Sequence, residues 1–163
     1  MEGLDNAIII QMRQIVRSIN LESKKIQKQY GVSIPQVLCL NFIKESPNYQ
    51  STQREIRNYL NLNASTITGI INRLEKKGLV ARLPKLGDRR VSNIALTADG
   101  QKLLDNLPPL LQDKLTEQLN DLPYEKVSRI KNALNDLIDL LNIKDLDASP
   151  VLTIEDKISD DTN

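Results

Sequence analysis

Apolar positions recur at helical spacing along most of the chain. Between residues 4 and 30, isoleucine and methionine recur mostly three or four residues apart with basic side chains between them, which predicts one long helix. Gly31 follows as a C-terminal stop. Ser33 is a suitable N-cap for a second helix, which we expect to run to about Lys44. Ser46-Pro47-Asn48 then predicts a break.

Two short capped helices are predicted next. Thr52 and Glu55 have the spacing of a capping box, which indicates a helix over residues 53–60. Asn63 is a favourable N-cap for a further helix over residues 64–77, which Gly78 would end. The apolar positions of that helix share one face and should be buried: Ile67, Ile70, Ile71 and Leu74.

The pattern then changes from helix to strand. Residues 79–83 and 91–96 are short apolar-rich runs, and the residues between them favour a turn. This arrangement predicts a two-stranded hairpin with a long basic tip. Ile94 and Leu96 share one face of the second strand, and we expect them to pack against the helices.

Helical spacing returns in the last third of the chain. A leucine-rich helix is expected to begin at Thr97 or Asp99, and Pro108-Pro109 must kink or break it. Pro123 opens another helix that should reach Leu141. Residues 144–163 are acidic and polar, which predicts a mobile tail. The predicted fold class is therefore mainly α, with a small β component.

The composition excludes several kinds of site. The chain has 163 residues and only 3% aromatic side chains, so leucine, isoleucine and valine must supply most of the core. A single cysteine and no histidine rule out an intramolecular disulfide and the usual zinc sites. We expect Cys39 to be a small buried hydrophobic residue, with a redox sensor as the alternative.

The same composition argues against an enzyme. No histidine can act as a general base, and no phosphate-binding or dinucleotide-binding glycine pattern is present. We therefore predict no catalytic residues, no cofactor and no metal. Apolar runs are too short for a signal peptide or for the roughly 18 residues of a membrane span, so the cytoplasm is the expected location.

Charge is distributed unevenly along the chain. Residues 51–97 carry nine basic and three acidic side chains, a net charge of +6, whereas residues 98–163 carry seven basic and fourteen acidic ones, a net of −7. A basic middle segment is typical of a protein that binds a polyanion, and a solvated charged surface is the alternative.

The helix over residues 64–77 has the side chains of a DNA-reading helix. Opposite its apolar face it presents hydroxyls, an amide and cations, which are groups that contact bases and phosphates. An ordinary amphipathic surface helix would look similar. The neighbouring hairpin tip favours DNA, because clustered cations repel one another and a minor groove attracts inserted arginine. Asp88 beside them would either orient an arginine or serve as a turn residue.

The central segment resembles the MarR family of winged-helix regulators. The resemblance rests on the run from Leu74 to Val80, on Arg82, Asp88-Arg89-Arg90 and Leu96-Thr97, on Gly100, and on Ser65-Thr66-Ile67-Thr68. It implies a winged helix-turn-helix flanked by N- and C-terminal dimerisation helices, and it implies that Arg90 of the wing enters the minor groove. It also implies a small-molecule or redox input. Gly69 stands where many relatives carry a larger residue, so no base contact is assigned to it.

The fold and the resemblance together give a predicted domain organisation and interface. Residues 1–32 and 98–143 would form the dimerisation region, with an intramolecular bundle of these helices as the alternative, and residues 33–97 would form the DNA-binding domain. A two-fold dimer would place its two reading helices about 34–36 Å apart on a palindromic operator. The predicted DNA-binding residues are Gln53, Arg54, Ser65, Thr66, Thr68, Asn72, Arg73, Lys76, Lys85, Asp88, Arg89 and Arg90.

We therefore predict a dimeric transcriptional regulator, in the first instance a repressor. The alternative is a winged-helix module that binds an acidic protein through the same basic surface. Tyr30, Phe42 and Tyr59 could line an effector pocket or pack in the core. The sequence leaves the operator, the effector and the sign of regulation open.

Overall fold

The structure is a computed structural model that describes residues 3–85 and 91–148. The chain folds into two compact units, the second of which is Pro108–Asp147. The helices of the described residues are, in order, α1 Leu4–Tyr30, α2 Ile34–Glu45, α3 Gln53–Leu60, α4 Ala64–Lys76, α5 Ala98–Asn106, α6 Leu111–Asn120 and α7 Tyr124–Leu140. The strands are β1 Gln50–Thr52, β2 Val80–Arg82 and β3 Asn93–Leu96.

The predicted first helix is confirmed. α1 covers 27 residues and ends at Tyr30, and Gly31 follows it in the left-handed conformation with φ 70°. The Gly31 amide donates to the carbonyl of Gln27 at 3.0 Å, which closes the last turn. Glycine suits this position because it carries no side chain that a positive φ would strain.

Side-chain caps fix the starts of the next three helices, as predicted. The Ser33 hydroxyl accepts from the Gln36 amide, and the Gln36 side chain accepts from the Ser33 amide in return. Thr52 and Glu55 form the same reciprocal pair at α3. Asn63 caps α4, which ends at Lys76, one residue before the predicted end, and Gly78 follows with φ 73°.

The predicted two-stranded hairpin is wrong in one respect, because its strands belong to a three-stranded antiparallel sheet. The strand order is β1-β3-β2, so the middle strand β3 pairs on both sides. Ile94 lies opposite Ser51 of β1 and opposite Arg82 of β2. β1 has only three residues, which is too short to show the alternation that identifies a strand in a sequence.

The core of the first unit is aliphatic. The four predicted core positions of α4, from Ile67 to Leu74, all have 0% relative exposure. α2 and α3 contribute further fully buried side chains, among them Ile43 and Ile56. Ile94 is buried, whereas Leu96 is only half-buried. Cys39 is buried, as predicted for a small hydrophobic residue.

The proline pair breaks the leucine-rich helix instead of bending it. α5 begins after its N-cap, Thr97, and ends at Asn106, and α6 begins only at Leu111. Pro123 precedes α7, as predicted. Within the described residues, no helix combines the length and the apolar character that crossing a membrane requires.

Candidate nucleic-acid interface

α3, a three-residue connection and α4 form a helix-turn-helix. Asn61 ends α3 in the left-handed conformation with φ 53°, which turns the chain sharply. Asn63 then caps α4: its side-chain oxygen accepts from the Thr66 amide at 2.8 Å and from the Ser65 hydroxyl at 2.9 Å. The first turn of α4 is therefore held in place by short local hydrogen bonds.

The two faces of α4 differ as the sequence predicted, with one exception. Ser65, Thr68, Asn72 and Lys76 are exposed, and Arg73 is half-buried. Thr66, predicted to flank the exposed face, is only 8% exposed and belongs to the buried side. The prediction failed there because a helical wheel gives angles around the axis but not how deeply the helix is embedded.

A hydrogen bond joins the two helices of this motif on their exposed side. The Gln53 side-chain amide at the start of α3 donates to the Thr68 hydroxyl at 2.7 Å. The Thr68 hydroxyl in turn donates to the carbonyl of Ala64 at 2.8 Å. The hydroxyl proton of Thr68 is thus donated within the protein. Thr68 can therefore offer an incoming base only the remaining lone pair of its hydroxyl oxygen and its methyl group.

A second set of contacts joins α4 to the first strand of the hairpin. One guanidinium nitrogen of Arg82, on β2, donates to a carboxylate oxygen of Glu75. The other terminal nitrogen of Arg82 donates to the side-chain oxygen of Asn72 at 2.8 Å. Asn72 is therefore not a free amide, although it is exposed.

A cleft of about 380 Å³ opens beside the helix-turn-helix, between α3, α4 and the base of the hairpin. It brings the predicted residue Arg54 next to Arg57, which sequence reasoning missed. The two arginines are three residues apart and so share one side of α3, a spacing that could have identified Arg57. The lining comprises Thr52, Gln53, Arg54, Arg57, Ala64, Ile67, Val91 and Ser92.

The capping box of α3 also fixes the edge of this cleft. The Glu55 carboxylate accepts from the Thr52 amide at 2.8 Å and from the Ser51 hydroxyl at 2.9 Å. The Thr52 backbone hydrogen bond, followed by those from the Ser51 and Thr52 hydroxyls, lowers the pKa of Glu55. Glu55 thereby stays ionised and ties β1 to α3.

The remaining predicted residues come between β2 and β3 in the sequence. Lys85 is exposed at the end of the described part of the first arm, and Val91 is exposed at the start of the second. Asp88, Arg89 and Arg90 lie outside the described residues. Leu83 continues the hairpin beyond β2, since its amide donates to the carbonyl of Asn93 at 2.8 Å.

Two of the aromatic residues considered for an effector pocket lie in contact but differ in solvent exposure. The rings of Phe42 and Tyr59 lie 4.5 Å apart at an angle of 32°. Phe42 is half-buried, whereas Tyr59 is 65% exposed and so is not a core residue. Among residues 3–85 and 91–148, no group of histidine, cysteine or carboxylate side chains is arranged to hold a metal ion.

Comparison with known proteins relates this geometry to a family. The model of the MarR family matches residues 30–91, which include the helix-turn-helix and β2. The chain is 27% identical to the HTH-type transcriptional regulator YsmB of Bacillus subtilis, over 76% of this chain and 83% of that protein. It is likewise 27% identical to the homoprotocatechuate degradative operon repressor of Escherichia coli, over 76% of this chain and 82% of that protein.

The fold matches as well. The chain resembles MepR of S. aureus, solved as a complex with DNA, with a TM-score of 0.62 and 22% identity, covering 80% of this chain and 95% of that one. The two relatives named above are transcriptional regulators and not enzymes. The family match over residues 30–91, the relatives and the fold agree: the chain is similar to the MarR family of transcriptional regulators, and its fold is that of winged helix-turn-helix proteins.

Proposed function

We propose that this regulator binds duplex DNA as a homodimer, with α4 in the major groove and the hairpin tip in the adjacent minor groove. The observation that carries the proposal is the two-sided character of α4. One side is fully buried by isoleucine and leucine, while the other exposes Ser65, Thr68 and Lys76 at the surface of a helix-turn-helix. In that motif the second helix enters the major groove.

Cations surround this exposed side. Arg54 and Arg57 lie at the cleft beside α4, and Lys85 extends from the first arm of the hairpin. These are the groups that neutralise phosphates, while Gln53 and Ser65 offer hydrogen bonds of the kind that read base edges. Arg73, Asp88, Arg89 and Arg90 remain in the proposed interface on the strength of the sequence alone, with Arg90 as the residue that would enter the minor groove.

Dimerisation is supported by apolar surface that the single chain leaves uncovered. On α1, Ile15 and Val16 are 57% and 55% exposed. On α7, in the second unit, Leu134 and Leu140 are 49% and 78% exposed. Exposed apolar residues this numerous mark a protein interface, and two copies of one chain associate most simply through a two-fold axis. We therefore retain residues 1–32 and 98–143 as the proposed dimerisation region.

The relatives bear on whether the protein represses or activates its target genes. A repressor is favoured because the Escherichia coli relative is named as one. A small-molecule or redox effector remains a proposal from the family resemblance, and complete burial of Cys39 argues against a direct oxidant sensor at that residue. Binding to chromosomal DNA would place the protein in the cytoplasm.

Selection of bound duplexes from a random library tests this function. We expect an approximately palindromic consensus and nanomolar affinity that weakens steeply with added salt, since phosphate contacts release counterions. Arg90→Ala should lower affinity while leaving the dimer intact. Lys144→Ala removes the same charge from an exposed side chain outside both the proposed interface and the proposed dimerisation region, so it is the matched control and should leave affinity unchanged.

Three outcomes would contradict the proposal or part of it. Recovery of no preferred sequence would remove sequence-specific binding, and an unchanged affinity in Arg90→Ala would remove the wing contact. If an acidic protein displaces the selected duplex at physiological salt, the basic surface instead serves a protein partner.

A further inference from the structure

We infer that Arg82, Glu75 and Asn72 form a clamp that fixes β2, at the base of the wing, to α4, and that Asn72 is a positioning residue and not a base-reading one. The inference rests on the proposed function, because it assigns roles within the proposed DNA interface. It replaces the prediction that Asn72 contacts DNA bases.

The clamp joins two elements that the backbone places side by side. Arg82 is the last residue of β2 and pairs with Ile94 of the central strand. Asn72 and Glu75 are three residues apart on α4 and so share one side of the helix. The guanidinium of Arg82 contacts both through separate nitrogens. A planar fork of donors suits this double contact, which the single ammonium of lysine would not reproduce.

The contact changes what Asn72 can offer to DNA. A bidentate contact between asparagine and adenine needs both the side-chain oxygen and the side-chain nitrogen at the base edge. In this structure the oxygen is turned toward Arg82, 2.8 Å from its terminal nitrogen. An asparagine held in this way is poorly placed to make a bidentate contact with adenine. Its hydrogen bond with Arg82 therefore explains the position of its side chain.

The clamp instead orients the wing. β2 leads directly into the first arm of the hairpin, and Lys85 is only three residues beyond Arg82. Fixing β2 to α4 therefore sets the distance between Lys85 and the exposed side of the helix. The side chains of Arg82 and Glu75 are 32% and 41% exposed, so the ion pair contributes little to folding. Its larger effect is on DNA binding, where two surfaces must meet two grooves at once.

Substitution of Asn72 by aspartate separates the two roles. Aspartate keeps the acceptor oxygen and adds a charge opposite Arg82, so it should preserve the clamp. A base-reading asparagine would lose its donor and bring a negative charge toward DNA. We expect N72D to retain the base preferences of the wild type and an affinity within about threefold of it. N72A should bind about five- to tenfold more weakly at every sequence, with unchanged preferences.

Arg82 supplies the internal control. R82K keeps the charge but loses the fork, so it should weaken binding to about the same extent as N72A. The double variant N72D/R82A should bind duplex DNA more weakly than N72D alone, because the aspartate no longer has Arg82 as its partner. The measurement is selection from a random duplex library with each variant, followed by competition binding and by thermal unfolding to verify that each variant is folded.

The outcomes distinguish the clamp from the proposed function. If the wild type selects no duplex, the DNA-binding proposal fails. If the wild type selects a consensus and N72D or N72A loses the preference at one base position, Asn72 reads that base and the clamp inference is overturned. If N72D binds equally well with and without Arg82, the pair does not act together and the inference is likewise wrong.

Discussion

Gly100 has no room for a methyl group, so adding one there should destabilise the winged helix. It lies in the first turn of α5, against the turn that joins α4 to β2. A Cβ atom at Gly100 would overlap the carbonyl oxygen of Leu79 and would lie 2.7 Å from the Cδ1 atom of Leu96. Ordinary carbon–oxygen contacts are about 3.3–3.6 Å, so α5 or the turn would have to move by about 1 Å.

The turn cannot move freely because Thr97, the N-cap of α5, is hydrogen-bonded to it. The Thr97 amide donates to the same Leu79 carbonyl at 3.2 Å, and the Thr97 hydroxyl donates to the carbonyl of Gly78 at 2.7 Å. Overpacking costs about 1–3 kcal/mol, and a loosened hydrogen bond about 1 kcal/mol more. Alanine regains up to about 1 kcal/mol through its higher helix propensity. We expect Gly100→Ala to lower the free energy of unfolding by about 2 kcal/mol.

Thermal and urea unfolding measure this change. A loss of about 2 kcal/mol corresponds to a melting temperature lower by roughly 4–8 °C for a chain of this size. Gly78→Ala is the comparison: it has φ 73° and no atom within 4 Å of an added Cβ, so its cost is conformational. Gly78→Asn should restore most of that loss, since asparagine tolerates a positive φ. If Gly100→Ala is as stable as the wild type, the close approach between α5 and Leu79 does not exist.

Three further predictions concern helix capping, the pH dependence of stability and dimer formation. Asn63→Ala should lower the free energy of unfolding by about 1 kcal/mol in urea, because α4 loses its cap, and an equal stability would contradict the capping role. Glu55 has a lowered pKa in the folded chain. Its contribution to the free energy of unfolding is therefore fully present above the pKa that it has in the unfolded chain, and it is lost as the pH falls through the pKa of the folded chain. The stability difference between wild type and Glu55→Gln should therefore shrink on acidification, and a constant difference would refute the linkage. Ile15→Asp should convert the dimer to a folded monomer in sedimentation experiments, whereas Gln14→Asp should not, and an intact dimer in both would exclude this part of α1 from the interface.

Local signals explain why the helices were predictable. Ser33, Thr52 and Asn63 each stand where a cap is needed, and the structure contains the corresponding side-chain hydrogen bonds. The buried stripe of α4 followed from spacing alone, because residues three and four apart share a helix face. The family resemblance was likewise carried by short motifs around α4 and the hairpin.

Contacts between residues far apart in the sequence explain which features could not be predicted from it. β1 exists because Ser51 pairs with Ile94, 43 residues away, and three residues carry no strand pattern of their own. Arg57 lines a cleft that Val91 and Ser92 help to form, and no local pattern around α3 places those two residues beside it. The contact of Arg82 with Asn72 joins a strand to a helix, and no spacing rule connects the two positions.

Reactivity of a cysteine introduced at Ser65 tests most directly whether DNA covers the exposed side of α4. Cys39 is 0% exposed, so Ser65→Cys would carry the one reactive thiol, and Glu45→Cys at the end of α2 is the control. Saturation with the selected duplex should slow the labelling of Ser65→Cys by a maleimide at least about tenfold and leave Glu45→Cys unaffected. Equal labelling of Ser65→Cys with and without bound duplex would show that α4 does not lie in the groove.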